Sequence, residues 1–223
     1  MRTNLILPLI VAFPLILNAQ KNGKRGNSKW PALQEVVIPD SLKDEPAIYT
    51  LNTTTIDFLE SYETEVVVYK RIYVNSEKTA EEMNQKELFV SNGGRITMLQ
   101  ARTVKKDGSI VELDGEQIIE TKSVQKNKYG TDVQRRIQLI YPNVEKGDII
   151  DLAYERSMKG YIFSDLMFLE GDLPSLHTKI SLRNISMLDL TVYNLHGMPA
   201  TKRSLEGGVE TISWEKFGVE KMV

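Results

Sequence analysis

Apolar and polar positions alternate along most of the chain with a period of two, the pattern of half-buried strands. The clearest run is Tyr62 to Val74. Val66, Val68, Ile72 and Val74 share one parity; Val67, Tyr69 and Tyr73 share the other with Glu63, Glu65 and Arg71. β-Branched and aromatic residues dominate it and neither Gly nor Pro intrudes, so it is predicted as a central strand partly covered on both faces. Strand patterning starts near Pro46. It returns at Leu88–Ser91, Arg95–Val104, Ile110–Leu113, Gln117–Glu120, Arg136–Tyr141, Ile149–Arg156, Leu176–Arg183, Leu188–Leu195 and Val209–Trp214. Asn92-Gly93-Gly94, Lys106-Asp107-Gly108-Ser109, Glu145-Lys146-Gly147-Asp148 and Gly207-Gly208 are turn signals, because Asn-Gly and Asp-Gly steps tolerate positive φ. Lys122 to Gln134 is polar and weakly patterned, hence a loop or loose edge. Ser76 to Gln85 is the one helical stretch, with Ser76 placed to cap Ala80, Glu81, Glu82 and Met83. Turns recurring at about 8–12 residues predict an all-β fold, an antiparallel β-sandwich of about ten strands with one short helix. No crossover helices are in evidence for a parallel sheet, and no fixed-period repeat suggests a propeller or solenoid.

The first residues have another character. Arg2 precedes the apolar run Leu5 to Leu17, broken only by Pro8 and Pro14, and Ala19 sits just before Gln20. This is the layout of a secretory signal peptide over residues 1–19, cleaved after Ala19. A spanning helix needs about 20 apolar residues, and two prolines weaken one; an uncleaved signal anchor is the other reading. The expected location is therefore outside the cytoplasm, in the periplasm or on the cell surface of a bacterium. Residues 20–45 are predicted as a flexible leader, with Trp30-Pro31 and Pro39-Asp40 as breakers. Residues 46–223 form the β-domain. The chain stops at Lys221-Met222-Val223, just past a strand, so it is expected to be the front portion of a longer protein or a truncated copy.

Composition removes chemistries more than it suggests them. The 223 residues are 41% hydrophobic and 26% charged, near a soluble globular average. There is no cysteine, which excludes disulfides, thiolate metal sites and a cysteine nucleophile within this chain. Basic residues number 28 and acidic residues 30, so no charge excess points to nucleic acid or anionic lipid. His177 falls on the polar parity of a strand, and His196 precedes Gly197 at a hairpin end. They are predicted as a solvent-facing sheet residue and a turn residue. No Gly-x-Ser-x-Gly elbow, dinucleotide fingerprint or phosphate loop occurs. A Ser–His–Asp triad assembled across the fold stays open. Asp107, Asp114 and Asp148 sit where Asp bonds local backbone in turns. Tyr154, Tyr161, Phe163, Phe168 and Trp214 could form a sugar-binding surface, although core packing explains them more simply. No catalytic, cofactor-binding or metal-binding residue is assigned, and no cofactor is expected.

The order of segments carries one resemblance. Ala47-Ile48-Tyr49-Thr50-Leu51, the Val-rich strand, Ala101-Arg102-Thr103 and Lys106-Asp107-Gly108-Ser109-Ile110 come first. After a polar gap follow Gln138-Leu139-Ile140-Tyr141-Pro142-Asn143-Val144-Glu145-Lys146-Gly147-Asp148-Ile149-Ile150 and Tyr154. Over residues 46–223 this resembles the uncharacterised N-terminal β-domain of exported bacterial transglutaminase-like proteins, a domain of unknown function. The resemblance implies a papain-like core further along the same polypeptide, with a Cys–His–Asp triad that this chain does not carry. It implies a non-catalytic accessory domain that positions the enzyme, covers its cleft or binds its polymer substrate. The partners expected are that downstream transglutaminase-like domain and an extracellular polypeptide or glycan, and no nucleic acid. Alternatives are a free-standing carbohydrate- or peptide-binding module, and a hydrolase with an unrecognised triad.

Overall fold

The computed structural model describes residues 7–10, 30–31, 33, 36–90, 94–127, 130–160, 164–167, 169, 171–194 and 198–221. Along the chain come β1 (Leu7–Ile10), β2 (Ala47–Phe58), β3 (Glu63–Val74), α1 (Glu77–Met83), β4 (Gln85–Val90), β5 (Gly94–Val104), β6 (Ile110–Glu112) and β7 (Ile118–Asn127). Then follow β8 (Gly130–Ile140), β9 (Ile149–Lys159), β10 (Ser164–Met167), β11 (Ser175–Asn184), β12 (Thr191–Val192), β13 (Lys202–Glu206) and β14 (Val209–Val219).

The predicted all-β character holds, but the architecture is not an antiparallel sandwich. One mixed sheet of eight strands, ordered β13-β14-β11-β2-β3-β9-β5-β6, dominates, and a three-stranded sheet, β4-β8-β7, accompanies it. The pairing of β11 with β2 is parallel, with Ile180 opposite Thr54 and Leu182 opposite Ile56. A parallel pair needs a long return connection. Here the whole run from β3 to β10 is that connection, so no dedicated crossover helix is required.

Several local expectations change for the same reason, that pairing is decided by distant partners. The strands β4 and β5, either side of residues 91–93, do not pair with each other; β4 joins β8 and β5 joins β9. The two strands thus belong to different sheets, and Asn92-Gly93 of the predicted turn lies outside the described residues. Lys122–Gln134, read as a loop or loose edge, falls within the long antiparallel pair β7–β8, and β7 is indeed an edge strand of the small sheet; the loop alternative fails because backbone pairing overrides weak side-chain patterning. Of Leu188–Leu195 only Thr191–Val192 is strand among the described residues, and β13 is an additional edge strand joined to β14 through Gly207 and Gly208, both at positive φ. The helix is shorter than predicted: Ser76 caps it by accepting from the Thr79 amide at 3.1 Å, and Gln85 already belongs to β4.

One face of the large sheet carries both cores. On β3 this face shows Val66, Val68, Lys70, Ile72 and Val74, and on β9 Ile150, Leu152 and Tyr154. At one end Ile72, Val74, Ala101 and Ile150 meet Val90, Ile137 and Leu139 of the small sheet and Ala80 and Met83 of α1. At the other end Val66, Val68, Ile180, Leu182, Ile212 and Trp214 are covered by Leu169 and Leu190, with Leu188, Val192 and Met198 beside them. Tyr154 touches both clusters.

Of the predicted signal segment 1–19 only Leu7–Ile10 is described, lying antiparallel to β10 and to β12. The cleavage position at Ala19 lies outside the described residues. Among the described residues no helix is long and apolar enough to cross a membrane.

Candidate functional site

A β-bulge begins the site. Pairing of β2 with β3 slips between Tyr49 and Leu51, so Thr50 is extra. An extra residue flips the facing of everything before it. Tyr49 thereby joins Ile56 and Phe58 on the covered face, although its parity in sequence is opposite. It stands opposite Ile72 and beside Lys70, which interrupts the apolar row of β3 at the junction of the two cores.

At that junction lies a cavity of about 150 Å³. Ile72, Ile150 and Leu152 supply apolar lining from the large sheet, Lys86, Glu87 and Leu88 come from β4, with the Glu87 carboxylate bonded to Arg136, and Tyr49, Lys70, Tyr141, Tyr154 and Asp172 supply the other polar groups. The Tyr49 hydroxyl donates to Asp172 Oδ1 at 2.8 Å, and Lys70 Nζ lies 3.4 Å from the same hydroxyl oxygen and 5.1 Å from the ring centre. Burial lowers the Lys70 ammonium below the ordinary lysine range, with Asp172 opposing. Burial lowers Lys86 too; Asp172 opposes and Lys70 adds to the shift. Tyr49 is pushed above the ordinary phenol range by burial first and by Asp172 second, so it stays a protonated donor. Tyr141 is 1% exposed, and its buried hydroxyl has no hydrogen-bond partner. Two ammonium groups share this cavity with the Asp172 carboxylate, Glu87 being bonded to Arg136, and the Tyr141 phenol lines it too. The arrangement can hold an anion.

Directly behind, on the opposite face, sits a buried charge network. Asp151 is opposite Arg71 on β3 and Arg102 on β5. Its carboxylate accepts from Arg71 Nε at 2.7 Å, Arg71 Nη2 at 3.2 Å, Arg102 Nε at 2.9 Å and the Tyr69 hydroxyl at 2.9 Å. Trp30 and Pro31 of the leader close this face. The Arg102 guanidinium lies 4.4 Å from the Trp30 ring centre, Trp30 meets Tyr69 edge-on at 5.7 Å, and Arg71 Nη2 donates to the Pro31 carbonyl at 3.0 Å. With so many donors on Asp151, the network is structural: it locks β3, β9, β5 and residues 30–31 together.

The residues singled out in the sequence fall elsewhere. His177 is on β11, its Nε2 2.9 Å from Glu215 Oε1 and its ring stacked on Phe217 at 4.5 Å; it is half-buried and paired instead of freely solvent-facing. Glu215 also meets Lys202 at 3.1 Å, and these two hydrogen bonds, Lys202 first, hold its carboxyl below the usual range. His196 lies outside the described residues, as do Tyr161, Phe163 and Phe168. Trp214 is fully buried and belongs to the core, so it is no exposed sugar platform. Asp107 accepts from the Ser109 amide and hydroxyl at 2.8 and 2.7 Å beside Gly108 at φ +87°. Asp114 caps the short 3-10 helix Gly115–Gln117. Asp148 does more than turn its own loop: it accepts from the Glu145 and Lys106 amides and from Lys105 Nζ, tying two turns together. Among the described residues no three His, Cys, Asp or Glu gather to hold a metal ion.

A known structure shares the fold. A crystal structure of a "putative protease" from Parabacteroides distasonis ATCC 8503 superposes with a TM-score of 0.61 at 14% identity, over 80% of this chain and 36% of that one. An M1 zinc metallopeptidase from Deinococcus radiodurans matches with a TM-score of 0.39 at 8% identity, over 77% of this chain and 39% of that one. This chain thus spans little more than a third of either structure. No curated protein is similar in sequence. Residues 60–219 match the model of a domain of unknown function of which structures have been solved, DUF3857, and over that stretch they run from β3 through β14. The chain belongs to the DUF3857 family.

Proposed function

We propose that this chain is a non-catalytic exported β-module, the accessory or substrate-positioning part of a longer polypeptide whose transglutaminase-like core supplies the chemistry. The observation that carries the reading is the likeness to the Parabacteroides distasonis protein, in which the same fold accounts for only about a third of the chain. That larger protein is described as a putative protease, which agrees with a module beside an enzyme that acts on peptide or acyl bonds. The lack of cysteine puts any thiol nucleophile outside these residues. The leading segment 1–19 directs export and is removed after Ala19.

The test is made on the continuous reading frame. Past Val223 it should encode a Cys followed by His and Asp, and replacing that Cys should abolish acyl transfer or peptide hydrolysis by the full protein. His177→Ala should leave that activity within a few-fold, whereas loss of a general base costs about 100-fold or more. A frame without the triad, or a loss of that size from His177→Ala at unchanged melting temperature, rejects the module reading. N-terminal sequencing of the secreted protein should begin at Gln20; a product beginning at Met1 rejects cleavage.

A further inference from the structure

We propose that the cavity between the two cores is a binding site for a small organic monocarboxylate, with Lys70 and Lys86 holding the carboxylate and Tyr141 donating to it. Three features of the cavity point there. Two lysines, Asp172 and Glu87 line it; the Glu87 carboxylate is taken up by Arg136, and Asp172 is already engaged by the Tyr49 hydroxyl. With the Glu87–Arg136 pair neutral, one positive charge is left in excess, which matches a single carboxylate. A phosphate, with about −1.5 to −2 charges at neutral pH, would overshoot it and face Asp172 as well. Second, Tyr141 is buried with an unpartnered hydroxyl at the cavity wall. Buried polar groups are nearly always hydrogen-bonded, and an orphan donor in the lining of a cavity that also holds two cations is placed for an anionic oxygen. Third, Ile72, Ile150 and Leu152 give the same cavity an apolar side. A volume of about 150 Å³ is the size that takes a benzene molecule, enough for a carboxylate with a short hydrocarbon tail.

Placement on the chain agrees with a purpose for the lysine. Every other member of its row on β3, from Val66 to Val74, is apolar and buried. A lysine there costs stability unless an anion meets it. Asp172 only partly answers that need, since Lys70 reaches the Tyr49 hydroxyl at 3.4 Å and no closer carboxylate contact is made.

The probe is sodium pentanoate, titrated calorimetrically into the purified full-length chain at fixed ionic strength. Saturable binding at one site is expected, with a dissociation constant of about 1 mM or tighter. Lys70→Met and Lys86→Met should each weaken binding about tenfold or more, and Tyr141→Phe, which removes only the hydroxyl, by a similar factor. Lys78→Met, on the exposed side of α1, should bind as the parent does. Melting curves run beside the titrations identify a variant that has failed to fold. Since Lys70→Met replaces a buried charge by an apolar side chain of like length, it should melt no lower than the parent. Absence of saturable pentanoate binding, unchanged binding by a folded Lys70→Met, or phosphate binding as tightly as pentanoate overturns the proposal. The titration is independent of any enzyme beyond Val223, so it can fail while the module reading stands, and the reverse.

Discussion

Asp151→Ala will lower the free energy of unfolding by about 3–5 kcal/mol, the range for removing one partner of a buried ion pair. The carboxylate is fully buried, and Arg71 and Arg102 beside it are 6% and 8% exposed. Deleting it leaves two guanidinium groups desolvated and facing each other, with the Tyr69 hydroxyl deprived of its acceptor. The Trp30 ring over Arg102 compensates little, since a cation–π contact supplies about 0.5–2 kcal/mol. Urea unfolding followed by circular dichroism measures the loss. A change below about 1 kcal/mol, the size of a typical single substitution, would mean that the network does not hold the sheet together. The corresponding apolar replacement of all three charges is expected to cost far less, because burying ions is itself unfavourable.

Trp214→Ala is expected to cost about 3–5 kcal/mol by a different route, the cavity left by a large core side chain. Trp214 is wholly buried beside Ile180, Ile212 and Leu182, and its indole N–H donates to Asn194 Oδ1 at 2.7 Å. The indole thus joins β14 to the segment after β12, which roofs that end of the sheet. For a chain of this size each kcal/mol moves the melting temperature by about 2–4 °C, so a fall of about 10 °C is expected in a thermal melt. Trp214→Phe should recover much of it by refilling the space. Equal losses in the two variants would assign the stability to the Asn194 hydrogen bond instead of to packing.

Strand identity was legible in the sequence; strand partnership was not. The parity of Val66, Val68, Ile72 and Val74 marks one buried face, and the structure agrees. That same row contains Lys70, a charge where the pattern demands an apolar residue, and this was the one visible signal of the cavity. Tyr49 gave no such signal, because the bulge at Thr50 places it on a face its parity denies. Tyr141 and Asp172 reach the cavity from β8's end and from a loop, positions that no periodicity links to β3. Arg102 and Asp151 lie on adjacent strands but far apart in sequence, so their pairing needed the register. The Ala101-Arg102 and Tyr141-Pro142 segments, which carried the resemblance, prove to contain one arm of the buried network and one wall of the cavity. The turn roles of Asp107, Asp114 and Asp148 were readable because those partners are two or three residues away, whereas the bonds from Asp148 to Lys105 and Lys106 were not.

The parallel seam between β2 and β11 also orders events in time. Arg183 and Asp57, bonded across it at 2.8 Å, are 126 residues apart. A ribosome or translocon releases β2 and β3 early, and that antiparallel pair can close at once across its short turn. The far edge of β2 then waits, its amides and carbonyls open, until β11 emerges. Contacts of such long sequence separation are the slow ones, and an unpaired edge is where chains aggregate meanwhile. Threonines and an asparagine occupy much of that waiting edge, at Asn52, Thr53, Thr54 and Thr55, instead of a continuous apolar run. A nascent chain carrying a polar strand can remain unmated without becoming adhesive, and the sheet is completed from that edge outward by β11, β14 and finally β13.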